Sequence, residues 1–261
     1  MSRGRQLTDA ELDRFAAGLT QGSTRQGRFE RALRLLVRLW CRLVGWHIEV
    51  VGAADLPVRG GVPGAGCVVA VAPHRAWVEP FLLVAAWPED AARLAWLADG
   101  HTVTRSWWRR RVLPRVGVIP VSGKRSGPKT YAAMTAAALA AGRALAVFPE
   151  VGPPSPPDHA RSCSPGFAYL AIGAGAPVIP VVVGGTHRIV RGSPFSLDFL
   201  PAQHPGPAGG AGFDPAAREQ AHELRRRTEL AYEGLLPRRT AEADAKAPPD
   251  ERWRWLGSLL G

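Results

Sequence analysis

The chain has 261 residues, a formal net charge of +11 and a hydrophobic fraction of 46%. That suits one large α/β domain or two small ones, and the composition excludes a disordered chain. Three widely spaced cysteines (Cys41, Cys67, Cys163) exclude a disulfide framework and a zinc cluster, and the excess of arginine favours anionic partners.

Residues 1–23 open as a polar stretch with no apolar signal-like segment and are expected to form a mobile arm. Residues 24–46 follow as a helix. Phe29, Leu33, Leu36, Trp40, Leu43 and Val44 recur at helical spacing, and Arg31, Arg34, Arg38 and Arg42 form a separate basic stripe. Two readings fit it. In one, the helix packs on the core with a solvated arginine face. In the other, it lies in a membrane interface with Trp40 and Trp46 at headgroup level.

"HIEVVG" then reads as a strand, and "CVVAVA" as a buried one. "PFLLVAAW" reads as a helix, "RLAWLA" as a strand, and "SWWRRRVLPRVGVIPV" as a basic aromatic helix ending in the strand "GVIPV". An Ala-rich helix "GPKTYAAMTAAALAAG", a strand "RALAVFPE", a helix "GFAYLAIGAG" and a strand "PVIPVVVGG" complete the alternation. The pattern predicts an α/β fold: a mixed, largely buried β-sheet flanked by helices, with the amphipathic helix before it. The domain proper is expected over 47–200. Residues 201–261 are expected as a C-terminal loop and helices packing on it, with "PRRTAEADAKAPPDE" as a polar linker. No run is apolar enough to predict a transmembrane span.

Active groups in α/β sheets collect where strands end. Three predicted strands end in polar residues. "CVVAVA" delivers His74 and Glu79, "GVIPV" is followed by Ser122, Lys124 and Arg125, and "ALAVFPE" ends at Glu150. A neutral histidine takes a proton from a hydroxyl when a carboxylate fixes its other ring nitrogen. In a straight strand, residues five apart point to opposite faces, so the pair needs a strand-to-helix turn, and Pro80 suits a helix start. With no serine or cysteine nucleophile nearby, direct attack by a substrate hydroxyl fits better than a covalent enzyme intermediate. Alone, His-x4-Glu is weak: Glu79 also reads as a helix N-terminal acid, Glu150 as a loop cap, and Lys124 and Arg125 as surface charges.

The order of the pieces adds weight. "HRAWVE", "GVIPV" with its following cations, "FPE" and "APVIPVVVGG" stand in the order of the four blocks of the PlsC-type glycerolipid acyltransferases, which this sequence resembles over about residues 47–190. The resemblance implies acyl transfer from acyl-CoA or acyl carrier protein to the hydroxyl of a lysophospholipid or glycerol phosphate. His74 would be the base and Glu79 its orienting acid. Gly117, Ile119, Lys124 and Arg125 of the second block and Phe148, Pro149 and Glu150 of the third would hold the acceptor. It implies no metal or tightly bound cofactor. Together with the basic helix and "RSWWRRR", it implies a peripheral enzyme at the cytoplasmic face of the cell membrane, with a lipid surface rather than nucleic acid as partner. The arginines are dispersed and no nucleic-acid motif is present. A non-catalytic lipid-binding relative is the alternative, motivated by departures from the family pattern. Pro73 stands where the family has Asn, Glu79 where it has Asp, Gly123 where it has Arg, and "FPEVGPPSPPDHARS" where it has F-P-E-G-T-R. The sequence carries no signal for oligomeric state.

Overall fold

The computed structural model describes residues 9–20, 24–57, 66–100, 103, 106–121, 128–206 and 215–247. Seven strands form one sheet: β1 (His47–Val51), β2 (Cys67–Ala72), β3 (Leu94–Asp99), β4 (Val118–Val121), β5 (Ala144–Val147), β6 (Val178–Gly184) and β7 (Pro194–Phe199). Their spatial order is β1-β7-β6-β2-β5-β3-β4, and every pairing is parallel except β6 with β7. The expected mixed, buried sheet is what forms. β2 and β6 are buried along their whole length, which is why their sequences are nearly continuous apolar, valine-rich runs. Pro120 is tolerated because, among the described residues, β4 pairs only with β3, leaving its other edge without a ladder to break.

Alternation along β2 divides the core. Val68, Ala70 and Ala72 face one apolar layer, and Cys67, Val69 and Val71 face the other. The first layer is covered by α1 (Asp9–Thr20), α5 (Pro128–Ala140), α6 (Gly166–Ala174) and α7 (Pro215–Lys246). The second is covered by α2 (Thr24–Val44) and α3 (Glu79–Ala86). A short helix α4 (Trp107–Val112) and a 3-10 turn (Leu113–Val116) lead into β4. Tyr232 of α7 is fully buried and donates its hydroxyl to the Ala70 carbonyl at 2.8 Å, tying the last helix to the strand that carries the site.

Four expectations change. Residues 9–20 are not an arm but a helix whose Phe15 and Leu19 are buried, with the Arg143 Nε donating to the Leu19 carbonyl at 2.7 Å. On α2 the core side is Leu33, Val37, Trp40, Cys41 and Val44, whereas Leu36 and Leu43, expected on that side, are exposed beside Leu35 and Leu39. The helix carries apolar side chains around more than half of its circumference, so contact with α3 decides which stripe is buried. Residues 237–246, expected as linker, continue α7 through Pro237. A proline inside a helix costs about 3 kcal/mol. Burial of Arg239, Thr240 and Ala243 opposes that cost, as does the Arg239 fork on Asp198 of β7, with Nε donating at 2.8 Å. β7 itself was not expected, although its apolar Phe195, Leu197 and Phe199 alternate with Ser196 and Asp198. The short "RWRWLGSLL" segment lies outside the described residues.

Candidate active site

β2 and β5 are parallel neighbours, so both deliver their following residues to the same side of the sheet. The Ala72–Pro73 peptide bond is cis. Residues 73–78 leave the strand as a turn, and α3 begins at Glu79 with Pro80 in its first turn. This is the strand-to-helix geometry the pair required. His74 Nδ1 lies 2.8 Å from Glu79 Oε2, and the Glu79 side chain has no exposed surface while that of His74 is 44% exposed. Glu79 Oε1 accepts from the backbone N–H groups of Arg75 and Ala76, both at 2.9 Å. Glu79 is therefore both the first-turn acid and the partner of the ring. With Nδ1–H donated to the carboxylate, the Nε2 lone pair is left as the proton acceptor of the ring. The ring stacks on Phe148, with centroids 4.2 Å apart.

Glu150 is equally buried but touches the main chain rather than the ring. Its Oε2 accepts from the His74 N–H at 2.7 Å, and its Oε1 from the Arg161 N–H at 2.8 Å. The Arg161 guanidinium reaches Glu150 Oε2 at 3.3 Å and the His74 carbonyl at 2.6 Å. Arg161 stands eleven residues beyond Glu150, a spacing that does not by itself return it to the site. What returns it is the antiparallel bridge between Glu150 and Cys163, closed by Val151 N–H to the Ser162 carbonyl at 2.9 Å and Ser164 N–H to the Pro149 carbonyl at 2.8 Å. Residues 151–160 loop out between these stems. Arg75, beside the histidine, was also missed. Its guanidinium donates into that loop, and burial lowers its pKa while Glu150 opposes the shift.

A cavity of about 960 Å³ opens beside these groups. His74, Phe148, Pro149 and Glu150 line it, and much of the remaining wall is apolar, including Leu33, Phe81, Trp87, Trp96, Leu113 and Leu170. Its size is at the upper end of small-molecule pockets. Gly117 and Ile119 do not line it. Ile119 is fully buried in the first core layer. Gly117 closes the 3-10 turn at φ 75°, where a Cβ would stand 2.9 Å from the Leu94 carbonyl oxygen. Both serve the fold. Lys124 and Arg125, with Ser122, lie outside the described residues.

Cys163 is buried beneath the bridge, and burial, reinforced by Glu229 and Glu150, pushes its thiol up to about 12. It is no thiolate at neutral pH. Among the described residues no cluster of His, Cys, Asp and Glu has the arrangement of a metal site.

A model described as Acyltransferase matches residues 47–184, just over half of the chain. Among solved structures, the 1-acyl-sn-glycerophosphate (LPA) acyltransferase PlsC from Thermotoga maritima is similar at a TM-score of 0.54 and 18% identity, covering 84% of this chain and 87% of that one. At that identity the likeness concerns the fold. No curated protein matches the sequence. With a sheet and helices of the PlsC type and the family's blocks in order across 47–184, the chain belongs to the acyltransferase family and is an acyltransferase.

Proposed function

We propose that the protein transfers a fatty acyl group from acyl-CoA or acyl carrier protein to the hydroxyl of a lysophospholipid or glycerol-phosphate acceptor. The 2.8 Å contact between His74 Nδ1 and the buried Glu79 carboxylate carries the reading. His74 Nε2 removes the acceptor hydroxyl proton as the oxygen attacks the thioester carbonyl. Glu79 holds the ring and stabilises the imidazolium that forms. Collapse of the tetrahedral intermediate breaks the C–S bond, and the imidazolium returns its proton to the leaving thiolate. Both donors are thioesters, so the balance is the same for each. The largely apolar cavity suits a fatty acyl chain, and Phe148, Pro149 and Glu150 stand where that chain meets the base. In this reading Lys124 and Arg125 are the cations for an acceptor phosphate.

The same proposal places the enzyme at the cytoplasmic face of the membrane as a peripheral protein. Leu35, Leu36, Leu39 and Leu43 of α2 and Trp107 and Trp108 of α4 are exposed, and Arg31, Arg42 and Arg109–Arg111 accompany them. Apolar side chains for the acyl boundary flanked by cations for anionic headgroups are what an interfacial surface requires. Both helices contribute to the cavity wall, through Leu33 and Arg34 on one side and Trp108 and Val112 on the other. Among the described residues no helix is long and apolar enough to cross a membrane.

The test is transfer from labelled acyl-CoA and acyl carrier protein to a panel of lysolipids and glycerol 3-phosphate on anionic vesicles. Turnover of at least one acceptor is expected. Vesicle binding without turnover on any of them would favour the non-catalytic relative.

A further inference from the structure

Arg75 follows the histidine, yet its guanidinium points away from the cavity groups and into the excursion 151–160. Nη1 donates to the Ser155 carbonyl at 2.6 Å. Nη2 donates to Ser155 Oγ at 3.1 Å, to the Pro156 carbonyl at 2.7 Å and to the His159 carbonyl at 2.5 Å. A planar fork meets several carbonyls in a way that an ammonium does not. Ser155 Oγ also donates to the His159 carbonyl at 2.7 Å, which closes the tip of the loop on itself. Pro153, Pro154, Pro156 and Pro157 limit the conformations the loop can visit. The backbone N–H of the same Arg75 is held by Glu79 at 2.9 Å. One residue thus joins the carboxylate that holds the ring to the loop whose far stem carries Arg161. Arg161 in turn holds the His74 carbonyl and Glu150, and Glu150 holds the His74 N–H.

We propose that Arg75 is a positioning residue, fastening the 151–160 excursion over the strand-end turn so that Glu150 and Arg161 fix the main chain of His74. The activity part of this proposal rests on His74 being the base.

The experiment combines hydrogen exchange on the full chain with acyl-transfer kinetics for the wild type, Arg75→Ala and Arg75→Lys. In Arg75→Ala, amides of residues 73–76 and 150–163 should exchange about tenfold faster or more, while β2 and β6 keep their protection. Because a displacement near 1 Å costs about a hundredfold in rate, kcat should fall at least about tenfold, with donor and acceptor KM within about threefold. Arg75→Lys keeps the charge and recovers part of both effects. Unchanged exchange in 150–163 overturns the clasp, whether or not the wild type turns over any substrate. Faster exchange with wild-type kcat overturns the positioning role. If β2 also loses protection in Arg75→Ala, Arg75→Lys decides on the same readouts. An inactive wild type would instead refute the acyl-transfer reading and leave the exchange result standing.

Discussion

Glu79 and Glu150 are both buried carboxylates beside the same histidine, yet they hold different parts of it. Glu79 reaches the imidazole from five residues along the chain, through a turn into a helix. Glu150 comes from the neighbouring strand and holds the His74 N–H, with Arg161 completing the grip from the far stem of a loop. The first contact sets which ring nitrogen carries a proton. The second sets where the residue sits. Chemistry that depends on the ring should therefore respond far more to Glu79, and stability of the turn more to Glu150.

Removal of the proposed base, His74, should have the largest effect. A folded His74→Ala protein should lose about a thousandfold in kcat, within the range for general acid–base catalysis. Glu79→Gln follows, with an expected loss of about a hundredfold. An amide NH2 facing Nδ1 forces the other tautomer and occupies Nε2 with a proton. Circular dichroism should show that both proteins keep the fold.

The difference between the two carboxylates also explains what could be read in advance. The His74–Glu79 pair is local, and the prolines around it mark the turn, so the contact was legible from spacing. Glu150 was legible as a strand-end acid, but its hold on the His74 amide depends on β2 lying next to β5, which no local pattern reports. Arg161 is eleven residues beyond Glu150. Only the Glu150–Cys163 bridge brings it home, and a loop of prolines gives no periodic sign of that bridge. Most of the sheet was legible because continuous β-branched runs mark doubly covered strands. β7 was missed because Ser196 and Asp198 interrupt its apolar set, and Asp198 is tolerated inside only because Arg239 meets it. Ile119 was placed in the site by its block, whereas in β4 it is fully buried in the core.

Smaller effects separate position from chemistry. Glu150→Gln should lower kcat about tenfold and destabilise the fold by about 1–3 kcal/mol, as expected when a buried charged hydrogen-bond acceptor is lost. Thermal denaturation checks the second part. On the outer surface, replacing Leu35 and Leu39 together by serine should leave the melting temperature nearly unchanged while reducing sedimentation with anionic vesicles. Least affected of all should be the thiols. With Cys67 and Cys163 both pushed up to about 12 by burial, neither should react with iodoacetamide in the native protein at pH 8. Mass spectrometry of the labelled protein settles that point.

The claim at the centre is that Glu79 acts through the ring of His74. Single-turnover acyl transfer by His74→Ala, Glu79→Gln and the double variant tests it most directly. Residues that work as one unit are not additive, so the double variant should be no slower than His74→Ala alone. Losses that multiply, or a folded His74→Ala protein with full activity, would contradict the account.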